Sequence, residues 1–364
     1  MPSFPDRMAA LRRFASVALA DECLSIEPAS ADASFRSYWR ITTQRLGGVP
    51  EGAMPVSQTT KSIAPHGVPT SLIVMDAPPD KENIGPWLDV GARLHGAGLH
   101  TPQVIAVDRA QGFVLMEDLG TRTYLPELND ASVDALYQDA FDALVCMQAK
   151  ADVAALPSYD RALLITELEL MPEWFLRRHL GFTPSCDEWD VIEAAFTFLI
   201  HAALEQPRAF VHRDFHSRNL LIVDANSPGI IDFQDAVIGP ITYDLVSLLR
   251  DCYIEWEAER VDGWMERYRA QLRHAQLIGA DVETARFRRW FDLTGLQRHL
   301  KVLGIFCRLR YRDGKPQYLA NLPLVWRYAI TIARRYPQLG EFVALLERAR
   351  GERNLTEAGA GTAA

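Results

Sequence analysis

Along this 364-residue chain the spacing of apolar residues changes near residue 120, and no single layer of secondary structure suits both sides of the change. Before it, short runs alternate with a period of two, as half-buried strands do; from Ala131 onward apolar residues recur at three and four, as helices do. A strand-dominated front of about 120 residues and a helix-dominated back of about 230 call for two cores rather than one. The expected fold is therefore α+β and bilobal, with residues 1–119 and 120–350 as the lobes and a cleft at their join, near Glu117 to Gly120.

Within the front part, Met8, Leu11, Phe14, Ala15 and Ala18 follow Pro5-Asp6 at helical spacing and predict an amphipathic opening helix with an acid at its positive end. "SFRSYWRITT" predicts a strand, and the Gly, Pro, Ser and Thr of residues 47–69 predict a long exposed loop. "SLIVMDA" (71–77) reads as a buried strand. Ile84, Trp87, Leu88, Gly91 and Leu94 are spaced as a helix, and "QVIAVD" and "GFVLMEDLG" as two further strands. The closing "NLTEAGAGTAA" has no apolar period, so residues 351–364 are expected to form a disordered tail.

Composition narrows the function classes. Hydrophobic residues at 48% and charged residues at 23% suit a globular enzyme and exclude a largely disordered chain. A net charge of −9 without a Lys/Arg-dense stretch argues against a nucleic-acid partner, because phosphate binding needs a basic face. Cys23, Cys146, Cys186, Cys252 and Cys307 lie far apart without a CxxC pair, which excludes a zinc ribbon or disulfide framework and fits a reducing cytoplasm. Arg12-Arg13-Phe14 followed by "ASVALA" is faintly similar to a twin-arginine export signal, but its apolar run is about half the usual minimum length. The longest apolar run, "AAFTFLIHAAL", falls well short of the ~20 residues a membrane helix needs. No membrane span is expected, and the chain is expected to act as a monomer.

One window concentrates polar chemistry: "VHRDFHSRNLLIVDANSPGIIDF", residues 211–233. In an extended strand His212, Asp214 and His216 would share one face, a plausible start for a metallohydrolase cage, but no second paired motif supplies the remaining ligands. The spacing D-x-x-x-x-N of Asp214 and Asn219, with Asp232 after a strand, turn and strand, suits phosphoryl transfer better. Magnesium prefers oxygen ligands and keeps several waters, so an Asn amide and an Asp carboxylate suffice when ATP phosphates supply the rest. Asp214 would then accept the proton of the attacking hydroxyl. Asp224 to Gly229 read as turn residues alone.

These residues resemble the aminoglycoside phosphotransferase and choline kinase-like family, whose signature is H-x-D-x-x-x-x-N followed by I-D-x. The match is "VHRDFHSRNLL" with "GIIDFQDAVIGPITYDLVSLL", extending loosely from about Ala33 to about Arg335. The resemblance implies a protein-kinase-like fold with a small antiparallel-sheet N-terminal lobe and a larger helical C-terminal lobe, using ATP and Mg2+. It implies Asp214 as the catalytic Asp, Asn219 and Asp232 as the metal ligands, and Asp244 as a buried structural Asp. "ASFRSYWR", "LIVMDAPP", "GFVLMEDLGTRTYL" and "LMPEWFLRRHLG" are most similar to bacterial cell-wall-recycling members that phosphorylate the anomeric hydroxyl of N-acetylmuramate and N-acetylglucosamine, so a small amino sugar is the implied partner.

By the same resemblance "SADASFRSYWR" is similar to the phosphate-covering turn, with Ser34, Phe35 and Arg36 as cofactor-binding residues; an exposed Arg on an ordinary hairpin is the plain alternative. Glu117 to Gly120 would meet the adenine edge, with Met116 and Leu119 as apolar walls that are equally ordinary core residues. The strand lysine that usually pairs with ATP phosphates is missing: Met75 or Asp76 stands near its place, and Lys81 lies beyond two prolines. Sugar contacts are expected among Glu169, Trp174, Arg178, His212, Arg213, Gln234 and Asp235, although Glu169 also reads as a solvated face and Trp174 as core. The alternatives are a kinase of another small-molecule hydroxyl, of aminoglycoside type, or a pseudokinase that lost turnover with its lysine.

Overall fold

A computed structural model describes residues 4–22, 24–31, 35–43 and 70–358. The chain divides into two compact units, Met1–Arg122 with Val223–Gln234, and Thr123–Ile222 with Asp235–Ala364. The expected boundary at 119 thus shifts to 122. More consequentially, residues 223–234, and Asp232 with them, group with the first unit rather than the helical one.

The first unit is a five-stranded sheet in the order β1-β2-β3-β5-β4, antiparallel at every pair. Its strands are β1 (Ser25–Ala31), β2 (Ser37–Thr43), β3 (Thr70–Asp76), β4 (Val104–Asp108) and β5 (Phe113–Glu117). Helix α1 (Phe4–Leu19) lays its apolar stripe on the sheet: Leu11 and Ala15 are fully buried with Ile41, Val74, Phe113 and Leu115, and Met8 and Phe14 pack around them. Arg7 fixes its orientation, Nε donating to Asp76 Oδ1 at 2.7 Å. Helix α2 (Gly85–Gly96) begins with a proline, whose preset φ and missing N–H suit a first turn. The loop expected at 47–69 lies outside the described residues.

The second unit is helical: α3 (Tyr124–Glu127), α4 (Val133–Lys150), α5 (Arg161–Leu168), α6 (Cys186–Leu204), α7 (Tyr243–Leu249), α8 (Ala258–His274), α9 (Thr284–Tyr311), α10 (Leu322–Ala333) and α11 (Gly340–Arg350). A π-helical segment, Met171–His179, follows α5 and packs on α9. That approach requires Gly304, where a Cβ would lie 2.4 Å from the Leu170 backbone. Strands β6 (Arg208–Val211) and β9 (Val237–Pro240) pair antiparallel, Val211 opposite Val237. Two short strands, β7 (Leu220–Leu221) in this unit and β8 (Gly229–Ile230) in the first, complete the described set.

Residues 351–358, placed in the tail by the sequence, are described. Leu355 is buried, and its carbonyl accepts a hydrogen bond from His179 Nε2 at 3.0 Å, so the chain stays packed beyond residue 351 through one apolar anchor. Among the described residues no helix is long and apolar enough to cross a membrane.

Candidate active site

In the helical unit, residues 212–219 form an irregular loop between β6 and β7, whose Phe210, Val211, Leu220 and Leu221 are buried. Apolar strand ends thus fix a polar loop at both sides. Three of its backbone donors are taken by two buried acids. Asp244, at the start of α7, accepts from the N–H groups of His212 at 2.7 Å and Arg213 at 2.9 Å. Asp251, just beyond α7, accepts from Ser217 N–H at 3.0 Å, from the Ser217 hydroxyl, and from Tyr253 N–H at 3.1 Å. Buried N–H groups need partners, and a carboxylate serves two at once. Burial pushes the Asp244 carboxyl up to about 7, against the pull of those two N–H donors.

Asp214 and Asn219 are held to each other: Asn219 Nδ2 donates to the Asp214 carbonyl at 3.0 Å, and His216 N–H donates to the same oxygen at 3.0 Å. Asp214 N–H meets His212 Nδ1 at 3.3 Å, which assigns that nitrogen as the acceptor. Burial works to raise the Asp214 carboxyl, but Lys301, His216, Arg298 and His212 more than offset it and hold the group below its ordinary value. At neutral pH Lys301 and Arg298 carry that effect, because burial keeps His216 below its usual pKa. The loop is no strand, so the alternation that would put His212, Asp214 and His216 on one face does not apply; among the described residues no group of three or more His, Cys, Asp or Glu side chains is gathered for a metal.

Arg213 adopts φ +76°, a left-handed conformation unusual for a long side chain. Its guanidinium is paired with buried Glu167, and one nitrogen reaches the Asp235 carbonyl at 3.4 Å. Glu167 also binds Lys301 Nζ at 2.9 Å, accepts from the Tyr159 hydroxyl, and Lys301 donates to Tyr243 Oη at 3.1 Å. The Arg213 guanidinium is thereby engaged within the protein, by Glu167, which with Lys301 was absent from the sequence-based candidates. Neither is marked by local pattern: Glu167 stands two residues from the exposed Glu169, and Lys301 follows Gln297, Arg298 and His299 along α9. Glu169 and Arg178 are exposed, Trp174 packs against the helical core, and Asp235 is exposed; the contact from α5 to the loop is made by Glu167, two residues before Glu169.

In the sheet unit, Asp232 sits at φ +64° with Gln234 Nε2 donating to its Oδ1 at 2.9 Å and Arg36 Nη2 at 3.8 Å. Phe233 anchors this turn against Trp87, ring centroids 5.2 Å apart, and against Gly91, where a Cβ would come within 3.1 Å of the ring. Phe35 is exposed, with Lys81 Nζ 5.0 Å above its ring and its N–H directed to Glu82 at 3.2 Å. Lys81 is thus brought beside the 35–36 turn, a proximity that the intervening prolines obscured. Met75 is buried and Asp76 is engaged by Arg7, so neither offers a cation at the place of the missing lysine. Met116 is buried, Leu119 half-buried, and the Glu117 carboxylate accepts from His100 Nε2 at 3.2 Å and Gln103 N–H at 3.2 Å. Ser34 lies outside the described residues.

Comparison with known proteins bears on the family and the fold. The "Phosphotransferase enzyme family" model matches residues 25–280. The chain is 42% identical over 320 residues to the N-acetylmuramate/N-acetylglucosamine kinase of Pseudomonas aeruginosa, covering 88% of this chain and 87% of that protein. It is 39% identical over 333 residues to the kinase of the same name from Neisseria meningitidis serogroup B, covering 90% and 91%. Among solved structures, Plasmodium vivax ethanolamine kinase superposes with a TM-score of 0.56 at 10% identity, over 84% of this chain and 82% of that one. An aminoglycoside phosphotransferase in a streptomycin–ATP ternary complex gives 0.55 at 13% identity, over 88% and 97%. The fold is accordingly the expected α+β, protein-kinase-like one, and the chain belongs to the phosphotransferase enzyme family.

Proposed function

We propose that this phosphotransferase is an ATP- and magnesium-dependent kinase that phosphorylates the anomeric (C1) hydroxyl of N-acetylmuramate and N-acetylglucosamine, a reaction suited to the reuse of cell-wall sugars. The observation that carries the reading is the braced Asp214 loop, in a chain whose curated relatives are named for these two sugars. The C1 oxygen attacks the γ-phosphorus of ATP, the bond from phosphorus to the β–γ bridging oxygen breaks, ADP departs, and the hydroxyl proton passes to the Asp214 carboxylate. Asp214 suits that role because Lys301 and Arg298 favour its ionised form while the loop holds its direction.

Asn219 and Asp232 are the residues that would hold magnesium, which when bound neutralises charge on the phosphates. Asn219 fits: its amide nitrogen is engaged with Asp214, so the oxygen is the end that would meet a cation. Asp232 fits as a half-exposed carboxylate. Arg36 and Lys81, both beside the 35–36 turn, are the cations proposed for the nucleotide phosphates in place of the strand lysine, with the 117–119 backbone and Leu119 toward the adenine. The cytoplasm, where ATP is supplied, is the compartment proposed for this reaction.

The test is ATP consumption with magnesium and each sugar, followed by chemical analysis of the product. The reading requires loss of the reducing end and an acid-labile, alkali-stable phosphate. Phosphate found only at another ring position would remove the anomeric assignment, and turnover confined to an aminoglycoside would replace the substrate class.

A further inference from the structure

We infer that Tyr253 and Arg218 form the acceptor subsite beside the catalytic loop, the Tyr253 ring as the sugar platform and the Arg218 guanidinium as the cation for the lactyl carboxylate of N-acetylmuramate. The inference deepens the amino-sugar reading and rests on it.

Arg218 belongs to the loop itself, between the catalytic Asp214 and Asn219, and is exposed with its guanidinium 4.6 Å from the centre of the Tyr253 ring. The other arginine near the start of the loop, Arg213, is paired with Glu167. Arg218 makes no ion pair among the described residues. The Tyr253 ring is fixed from behind by Phe306 at 6.2 Å, itself backed by Tyr318 at 5.3 Å, and from the side by His216 at 5.7 Å in an edge contact. Tyr253 is partly exposed, with the Arg218 guanidinium over its ring. Platform and loop also share one anchor, because Asp251 accepts both Ser217 N–H and Tyr253 N–H. The ring therefore keeps its position relative to Asp214. Burial raises the Tyr253 hydroxyl well above its usual pKa, so it stays a neutral donor and acceptor for sugar hydroxyls.

The two sugars differ by one group, the lactyl ether carboxylate that N-acetylmuramate carries and N-acetylglucosamine lacks. A pyranose presents a flat apolar face that an aromatic ring can cover, and a planar guanidinium meets a carboxylate through two parallel hydrogen bonds. Tyr253 would thus serve both sugars, and Arg218 would distinguish them.

The experiment is steady-state kinetics with both sugars on wild type, Arg218→Gln, Arg218→Lys and Tyr253→Leu. Arg218→Gln should raise the ratio of KM for N-acetylmuramate to KM for N-acetylglucosamine by about 10- to 100-fold, the range for one lost charge-assisted contact. Arg218→Lys should recover part of that ratio, and Tyr253→Leu should raise both KM values together. If Arg218→Gln lowers kcat for both sugars and leaves the ratio unchanged, Arg218 only holds the loop and the inference falls. Unchanged KM values in Tyr253→Leu overturn the platform. A wild type that turns over neither sugar removes the amino-sugar reading and this inference with it, whereas an active wild type with an unaltered ratio in Arg218→Gln removes the inference alone.

Discussion

The 212–219 loop of the helical unit and the 232–234 turn of the sheet unit both carry candidate catalytic groups, yet they are held in opposite ways. The loop is closed by two fully buried acids, an Asn–carbonyl bond and a buried Glu167–Arg213–Lys301 cluster. The turn relies on one buried ring, Phe233, while the Asp232 carboxylate is 36% exposed and meets Gln234 and, at 3.8 Å, Arg36. A proton acceptor loses its use when displaced by an ångström, so its support is internal and permanent. The Asp232 carboxylate is the group proposed to meet magnesium, and its partial exposure leaves it reachable by an added ligand.

That contrast is broken or sharpened by four substitutions. The largest effect is expected for Glu167→Ala, which leaves Arg213 and Lys301 buried without their shared acid and should cost about 3–5 kcal/mol. Denaturant unfolding checks it; a loss no greater than that of Asp232→Ala would erase the distinction between the regions. Arg36→Gln should raise KM for ATP by about tenfold, as loss of a charge-assisted phosphate contact implies, while sparing KM for the sugar. Gly91→Ala places a methyl 3.1 Å from the Phe233 ring and should destabilise by about 1 kcal/mol, with KM for ATP rising more than KM for the sugar. The smallest effect concerns pH. The Glu117 hydrogen bond raises the His100 pKa despite partial burial, so the pair's contribution is full below the unfolded value near 6.5 and is lost as pH rises through the folded value. Comparing unfolding of wild type and His100→Gln across that window should show the two curves converging at high pH.

Much of this was readable from residue order because it depends on local period. Met8, Leu11 and Ala15 mark α1, "SLIVMDA" marks β3, and the five-residue step from Asp214 to Asn219 marks the loop. Asp244 was identifiable as an acid at a helix start, whereas Asp251, past the C-terminus of the same helix, carried no such signal. What resisted reading are pairings across long stretches of chain. Whether Glu167 or Glu169 meets Arg213, and whether Lys301 faces water or core, depends on how α5 and α9 pack, which no local pattern encodes. Within residues 351–358 the difficulty is related, since one side chain, Leu355, suffices to dock a stretch of low apolar content.

The central claim is that Asp214 is the proton acceptor of a phosphoryl transfer, not a structural carboxylate. Measuring nucleotide affinity and single-turnover rate together for wild type and Asp214→Asn tests it most directly. The account predicts nearly unchanged ATP affinity with a rate reduced by about 100-fold or more. Equal rates in the two proteins would contradict it.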